Sequence, residues 1–198
     1  PQFVNEKFFP AVRATLDPEA KYGVTGAYSV VGLSIDRGLF AFKDPHGIRP
    51  LIFAQRRGRR NRKEGQKDRK EGRRDGKEDE EITYAFASES VALPKLNGFD
   101  KYEELGPGEA VFIDFGMNIY RRTILSLGQK TCKFEPVYFA KGVSYFNGKV
   151  IEDIRYELGL EAADEFSHLK DSIDNILAVP KTAIRAAEAI AKAWDKPF

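Results

Sequence analysis

Two apolar runs in the segment LFAFKDPHGIRPLIFA, residues 39–54, flank a connection that carries Asp44, His46 and Arg49. These side chains can do more than bend a chain. A carboxylate at a turn start can accept the backbone N–H groups that follow it, and Pro45 presets the next φ. Gly47 supplies a backbone shape that a bulkier residue resists. Arg49 offers a planar fork suited to a carboxylate, and Glu89 in the later ASES segment is the expected partner once the strands pair. His46 has neither a second metal ligand nor a nucleophile beside it, so it reads as a solvated or packing histidine. The group as a whole reads as structural, holding a sheet edge, with direct substrate contact as the other reading. Two further residues stand apart. Cys132 is the only cysteine, and Thr182 opens an alanine-rich helical pattern whose first turn its hydroxyl can cap.

The elements that must position these groups follow from periodicity. Residues 6–16, EKFFPAVRATL, read as the end of a helix interrupted by Pro10, with a loop to residue 25. AYSVVGLSI (27–35), LFAF (39–42), IRPLIFA (48–54), ITYAFA (82–87), EAVFIDF (109–115) and NIYRRTIL (118–125) read as strands, with Gly26 and Tyr28 at the entry to the first. Such short strands and tight links predict one antiparallel sheet built from hairpins over 27–125. The pattern then changes. Residues 150–166 place Val150, Ile151, Ile154, Leu158, Ala162 and Phe166 at helical spacing, NILAVP (175–180) reads as a short buried strand, and 182–194 as an amphipathic helix. The fold class expected is therefore α+β, an antiparallel domain over 1–131 followed over 132–198 by a crossover and the start of an α/β domain.

Residues 56–81 belong to neither part. They are nearly all charge and glycine and contain a tandem repeat, RKEGQKD then RKEGRRD. Without apolar positions they form no coiled-coil seam and bury nothing to offset chain entropy. A solvated, disordered hairpin insertion is the plain reading, and a nucleic-acid or localisation segment is the other. RNA binding would be better served by interleaved aromatics, which the segment lacks.

The bulk composition sets outer bounds. The chain has 198 residues, 42% of them hydrophobic, and a formal net charge of +2, a balance that suits a folded domain and argues for no polyanionic partner. A single cysteine rules out an internal disulfide framework. No apolar run is long enough for a membrane-spanning helix. The first residues, PQFVNEKFF, show no signal-peptide design, and the ends read as those of an internal fragment of a longer chain.

Read in order, GAYSVVGL (26–33), FKDPHGIRPLIF (42–53), YAFASESVAL (84–93), GFDKYEELGPGEAVFID (98–114) and CKFEPVYFAK (132–141) resemble the glutamine amidotransferase domain of the amidophosphoribosyltransferase family. The resemblance implies an N-terminal-nucleophile glutaminase fold, here its C-terminal part, leading into the start of a phosphoribosyltransferase domain. It implies a cytoplasmic enzyme of purine biosynthesis that moves glutamine-derived ammonia to phosphoribosyl pyrophosphate, with Mg²⁺, as a homo-oligomer when full length. Asparagine synthetase carries similar turn and ASE blocks and is the nearest rival. A catalytically inactive glutaminase-like binding protein is the second.

The resemblance also implies what this chain lacks. The family's nucleophile is a mature N-terminal cysteine whose own amine acts as base, and this chain starts with Pro1, so no catalytic residue is assigned and the isolated fragment is expected to be inactive. Cys132 stands where some members ligate a [4Fe–4S] cluster and others keep a plain cysteine. A cluster needs three more thiolates. Thr182 stands where the family uses a hydroxyl toward magnesium-bound pyrophosphate. Lys181 replaces the acidic residue usual before it, and KGVS (141–144) replaces RPDS.

Overall fold

The computed structural model describes residues 1–59, 80–93, 99 and 101–198. The repeat at 62–75 and the remainder of 60–79 lie outside the described residues. A π-helical turn, Val4–Phe8, runs directly into helix α1, Phe9–Leu16. Pro10 therefore stays inside a continuous helical run. The wider turn lets the Phe9 amide reach back to the Val4 carbonyl, which relieves the crowding a proline imposes on the preceding turn.

The strands within 27–125 form two antiparallel sheets, where the sequence predicted one. β1 (Ser29–Ser34), β2 (Gly38–Lys43), β6 (Glu109–Asp114) and β7 (Ile119–Thr123) make the first, in the order β1-β2-β6-β7. β3 (Ile52–Arg59), β4 (Glu80–Ala87) and β5 (Lys101–Glu104) make the second, in the order β4-β3-β5. The alternation of side chains sorts the core. Ala41, Val111 and Ile113 meet Leu51, Phe53, Tyr84 and Phe86 between the sheets. Phe42, Ala110 and Phe112 turn the other way, onto Phe8, Val12 and Leu16 of the N-terminal helix. Ile52 and Ala54 face outward from the second sheet onto Leu93 and Phe99. A register slip of one residue would swap these faces.

Two boundaries shift with this arrangement. The third strand begins at Ile52 rather than Ile48, because Pro50 has no N–H to give and the Ile48 amide is held by Asp44. Residues 56–59 and 80–81, expected in the disordered insertion, are strand: Arg56 pairs with Thr83, Arg57 with Ile82 and Gly58 with Glu81. A ladder runs on backbone bonds and does not stop where the apolar side chains stop. The Arg56 guanidinium also lies over the Phe99 ring, 5.4 Å from its centroid.

Beyond the sandwich come a π-helical turn (Glu135–Phe139), a two-residue hairpin of β8 (Tyr145–Phe146) and β9 (Lys149–Val150), and helices α2 (Ile151–Glu165) and α3 (Ile184–Trp194). α2 buries Ile151, Arg155, Gly159 and Ala163, one residue away from the stripe read in the sequence; Leu158 and Phe166 of that stripe are exposed. The close approach of α3 at Gly159 decides which face is inward. Residues 175–179 form no strand. Leu177 and Val179 are exposed, and the Ile176 amide bonds the Pro197 carbonyl. A parallel strand needs a neighbouring ladder, and the described residues provide none beside it.

The α2–α3 contact yields a direct prediction. A Cβ on Gly159 would fall 2.3 Å from the Ala186 carbonyl oxygen, a backbone collision that no rotamer relieves. Gly159→Ala should cost about 1–3 kcal/mol. The sole tryptophan, Trp194, is buried and donates to the Ala163 carbonyl at 2.9 Å, so its emission should shift to the red. An unshifted spectrum with unchanged urea stability would contradict the packing.

Candidate functional site

The polar connection between β2 and β3 links one sheet to the other and is not a hairpin. Asp44 is fully buried. Its Oδ1 accepts the His46 amide and its Oδ2 the Ile48 amide, both at 2.9 Å. Its carbonyl accepts the amides of Gly47 at 2.9 Å and Gly108 at 2.8 Å, and its own amide donates to the Tyr28 carbonyl at 3.0 Å. The turn expected from Asp44 is therefore present and ties three segments. Gly47 has φ +61°, and a Cβ there would press on Pro107 at 3.1 Å. The Tyr28 hydroxyl is held above its ordinary pKa by burial, with the Asp44 charge adding to it.

His46 acts as a tether. Its Nδ1 lies 2.9 Å from the Gly128 carbonyl, and its Nε2 faces Lys130 Nζ at 3.4 Å. A carbonyl accepts only, so Nδ1 carries the proton and Nε2 offers its lone pair to the ammonium. The Leu127 amide donates to Pro45 and the Lys130 amide to His46. The histidine thus pins residues 127–130 to the turn.

Arg49 and Glu89 do not pair, contrary to the sequence expectation. Arg49 Nη1 lies 2.7 Å from Glu135 Oε2, and its guanidinium sits 5.8 Å from the Phe139 ring centroid. Glu89 Oε2 instead accepts the Lys141 amide at 2.9 Å and the Ser144 hydroxyl at 2.8 Å. Ser90 Oγ accepts the Tyr145 amide at 2.8 Å. The Ile52–Ala87 register brings residues 49 and 89 to one end of the second sheet, but the turn at Glu135–Phe139 supplies a nearer carboxylate. Sequence reasoning missed Glu135; its one signal was an acidic residue alone in the aromatic run CKFEPVYFA.

Glu135 is 3% exposed. Burial raises its carboxyl above the ordinary glutamate value, Arg49 pulls it down, and Glu89 and Glu104 push it up further. Glu104 itself holds Lys43, which is buried, at 3.1 Å. From α2, the buried Arg155 donates to the carbonyls of Pro136 at 2.9 Å and Ala140 at 2.8 Å. Residues 135–145 are gripped by the sandwich on one side and by α2 on the other. The arrangement binds one part of the chain to another and leaves these groups occupied.

Cys132 is a partly exposed free thiol whose carbonyl accepts the Glu135 amide. Among the described residues no three His, Cys, Asp or Glu side chains converge as metal ligands. Cys132 is the one thiolate that this chain can supply toward a four-thiolate cluster, and no cluster of metal-ligating side chains accompanies Thr182 among the described residues. Thr182 also fails to cap α3: the helix starts at Ile184, its N-cap is Ala183, and no side chain caps it. The backbone reaches Thr182 a residue too early.

No family model matches the chain. Among curated proteins, the amidophosphoribosyltransferase of Haemophilus influenzae is 33% identical over 98% of this chain and 34% of its own length. That of Escherichia coli is 32% identical over 88% of this chain and 31% of its own. That of Saccharomyces cerevisiae is 35% identical over 87% and 31%. Among solved structures, the glutamine phosphoribosylpyrophosphate amidotransferase from B. subtilis, complexed with ADP and GMP, superposes with a TM-score of 0.62 at 24% identity, over 87% of this chain and 32% of that one. The resemblance read in the sequence is borne out, and the structural likeness supports the mixed α+β class. The chain spans roughly a third of the length of these relatives.

Asp44 gives the sharpest test of the site's geometry. Asp44→Ala leaves two part-buried amides without their acceptor, each worth up to about 1–3 kcal/mol. Asp44→Asn keeps one acceptor oxygen and should lose about half as much. Urea unfolding of the two variants should rank them in that order, and equal losses would contradict the two-amide reading.

Proposed function

We propose that this chain is a segment of an amidophosphoribosyltransferase. In this reading residues 1–131 form the later part of a glutaminase domain of N-terminal-nucleophile type, and residues 132–198 lead into a phosphoribosyltransferase domain. The whole enzyme would hydrolyse glutamine to glutamate and ammonia. The ammonia would then displace pyrophosphate from C1 of phosphoribosyl pyrophosphate, giving 5-phosphoribosylamine. A cytoplasmic setting and a homo-oligomeric assembly go with the same reading.

The observation that carries it is continuity. The similarity to the Haemophilus influenzae enzyme extends over 98% of this chain and so includes both sides of the seam at residues 135–145. This chain's own share is positional. Its single cysteine is internal, so none of its residues offers a thiol and a terminal amine together, and the chain by itself contributes framework rather than the reacting groups. The Asp44 turn, the Arg49–Glu135 pair and the Glu89 contacts hold the sandwich against the segment that follows.

The test is turnover by the protein at its natural length. Glutamine and phosphoribosyl pyrophosphate should give glutamate and pyrophosphate in equal amounts, while the isolated 198-residue chain should release no glutamate above a Cys132→Ala control. Asparagine formed from aspartate and ATP would replace the reading with the asparagine synthetase alternative. Binding without turnover would favour an inactive relative. Thr182 adds a finer test. Because it caps nothing, Thr182→Ala should change stability by less than about 0.5 kcal/mol. If its hydroxyl meets the pyrophosphate, the same variant should weaken that substrate in the natural-length enzyme and spare glutamine hydrolysis; an unchanged affinity would retire the role.

A further inference from the structure

Glu89 and Ser90 stand just past the end of β4, where a short 3-10 turn, Ser90–Ala92, begins. Together they take three donors from one stretch of chain. Glu89 Oε2 accepts the Lys141 amide at 2.9 Å and the Ser144 hydroxyl at 2.8 Å, and Ser90 Oγ accepts the Tyr145 amide at 2.8 Å. Residues 141–144 form a turn of their own, closed by the Ser144 amide on the Lys141 carbonyl at 2.9 Å. That turn also meets α2. The Ser144 carbonyl accepts the Ile151 amide and the Gly142 carbonyl the Glu152 amide, both at 2.9 Å. These are the first two amides of α2, whose N-cap, Val150, makes no side-chain cap. A helix start needs such acceptors, and the turn held by Glu89 supplies them. We propose that Glu89 is a positioning residue: it sets how the α2–α3 pair sits on the sandwich, and in the natural-length enzyme that placement keeps ammonia formation coupled to ammonia use.

The placement is carried onward by close contacts. Ser144 is 1% exposed, so water does not compete for its bond to Glu89. Gly142 lies against the Glu152 side chain, where a Cβ would fall 2.6 Å from Oε1; the turn and the first turn of α2 touch. Further along α2, Arg155 donates to the carbonyls of Pro136 and Ala140. Gly159 then admits α3, and Trp194 of α3 donates to the Ala163 carbonyl at 2.9 Å. The Arg49–Glu135 pair fastens the preceding π-helical turn. The start of α2 is held through Glu89.

The inference rests on the reading of this chain as part of an amidophosphoribosyltransferase. In that reaction ammonia made at one site is consumed at another. Ammonia that escapes into water takes up a proton and loses the lone pair that attacks C1. Transfer therefore depends on how the two units face each other, and a misplacement of about 1 Å can cost about 10²-fold. Glu89 acts on this through the turn and α2, without touching a reacting atom. Both of its bonds land on one oxygen, Oε2. A glutamine, which keeps one acceptor oxygen, can make both, and an alanine can make neither.

The experiment uses the natural-length enzyme and three readouts. Two are the glutamate and the pyrophosphate released from glutamine with phosphoribosyl pyrophosphate. The third is the pyrophosphate released when an ammonium salt replaces glutamine. The parent should release glutamate and pyrophosphate in equal amounts. Glu89→Ala should keep glutamate release and ammonium-dependent pyrophosphate release close to the parent's, and lose glutamine-dependent pyrophosphate release by about tenfold or more. Glu89→Gln should restore the equal ratio. Ser144→Ala, which removes one of the two bonds and little volume, should shift the ratio the same way by less, and it decides if Glu89→Ala does not fold. An equal ratio in the alanine variants beside an active parent overturns the proposal alone. So does a proportional fall in all three readouts, which is what lost stability would produce, or a Glu89→Gln enzyme as uncoupled as Glu89→Ala. A parent that releases no pyrophosphate overturns the underlying reading, and the proposal with it.

Discussion

The amides of His46 and Ile48 lie where no strand pairs them, and the buried carboxylate of Asp44 takes both. Much of the described structure depends on that one acceptor. It lets the chain leave the first sheet at Lys43 and enter the second at Ile52 without stranding polar backbone. The Asp44 carbonyl and amide then fasten the start of β6 and the approach to β1 to the same point. A polar connection that resembles an active-site loop is, in its geometry, the hinge pin of a sandwich.

What the pin positions is Arg49. Emerging from the turn, it reaches Glu135, and from there the seam extends through Glu89 to Lys141 and Ser144 and through Ser90 to Tyr145. Arg155 holds the far side of the same turn by its carbonyls. The seam is polar, narrow and built of charge-assisted hydrogen bonds, in contrast to the aromatic packing of Phe8, Phe40 and Phe112 between the N-terminal helix and the first sheet. Polar seams of this kind fix orientation more than they stabilise.

Much of this was legible in the sequence. The β-forming runs LFAF and EAVFID gave strands, and Asp44 with Pro45 and Gly47 gave the turn. The errors have physical causes. One sheet was expected in place of two, because strand patterns show which residues alternate but not which strand each one pairs with. The Arg49 partner was misread because Glu135 is remote in sequence and reaches the site through tertiary packing alone. The buried face of α2 was misread because a glycine and an arginine, Gly159 and Arg155, occupy it; neither counts as apolar, yet one admits a helix and the other satisfies carbonyls. The strand at 175–180 failed because strand formation depends on a neighbour that an amino-acid pattern cannot supply.

The central claim is that Asp44 acts through Arg49, presenting it to the seam. A double-mutant cycle in Asp44→Asn and Arg49→Ala, read as unfolding free energies near neutral pH, measures this most directly. The account predicts that the two losses are not additive, with a coupling on the order of 0.5–3 kcal/mol, because Arg49 has little left to contribute once its turn is loosened. Strict additivity would mean that the turn and the seam are independent, and would contradict the account.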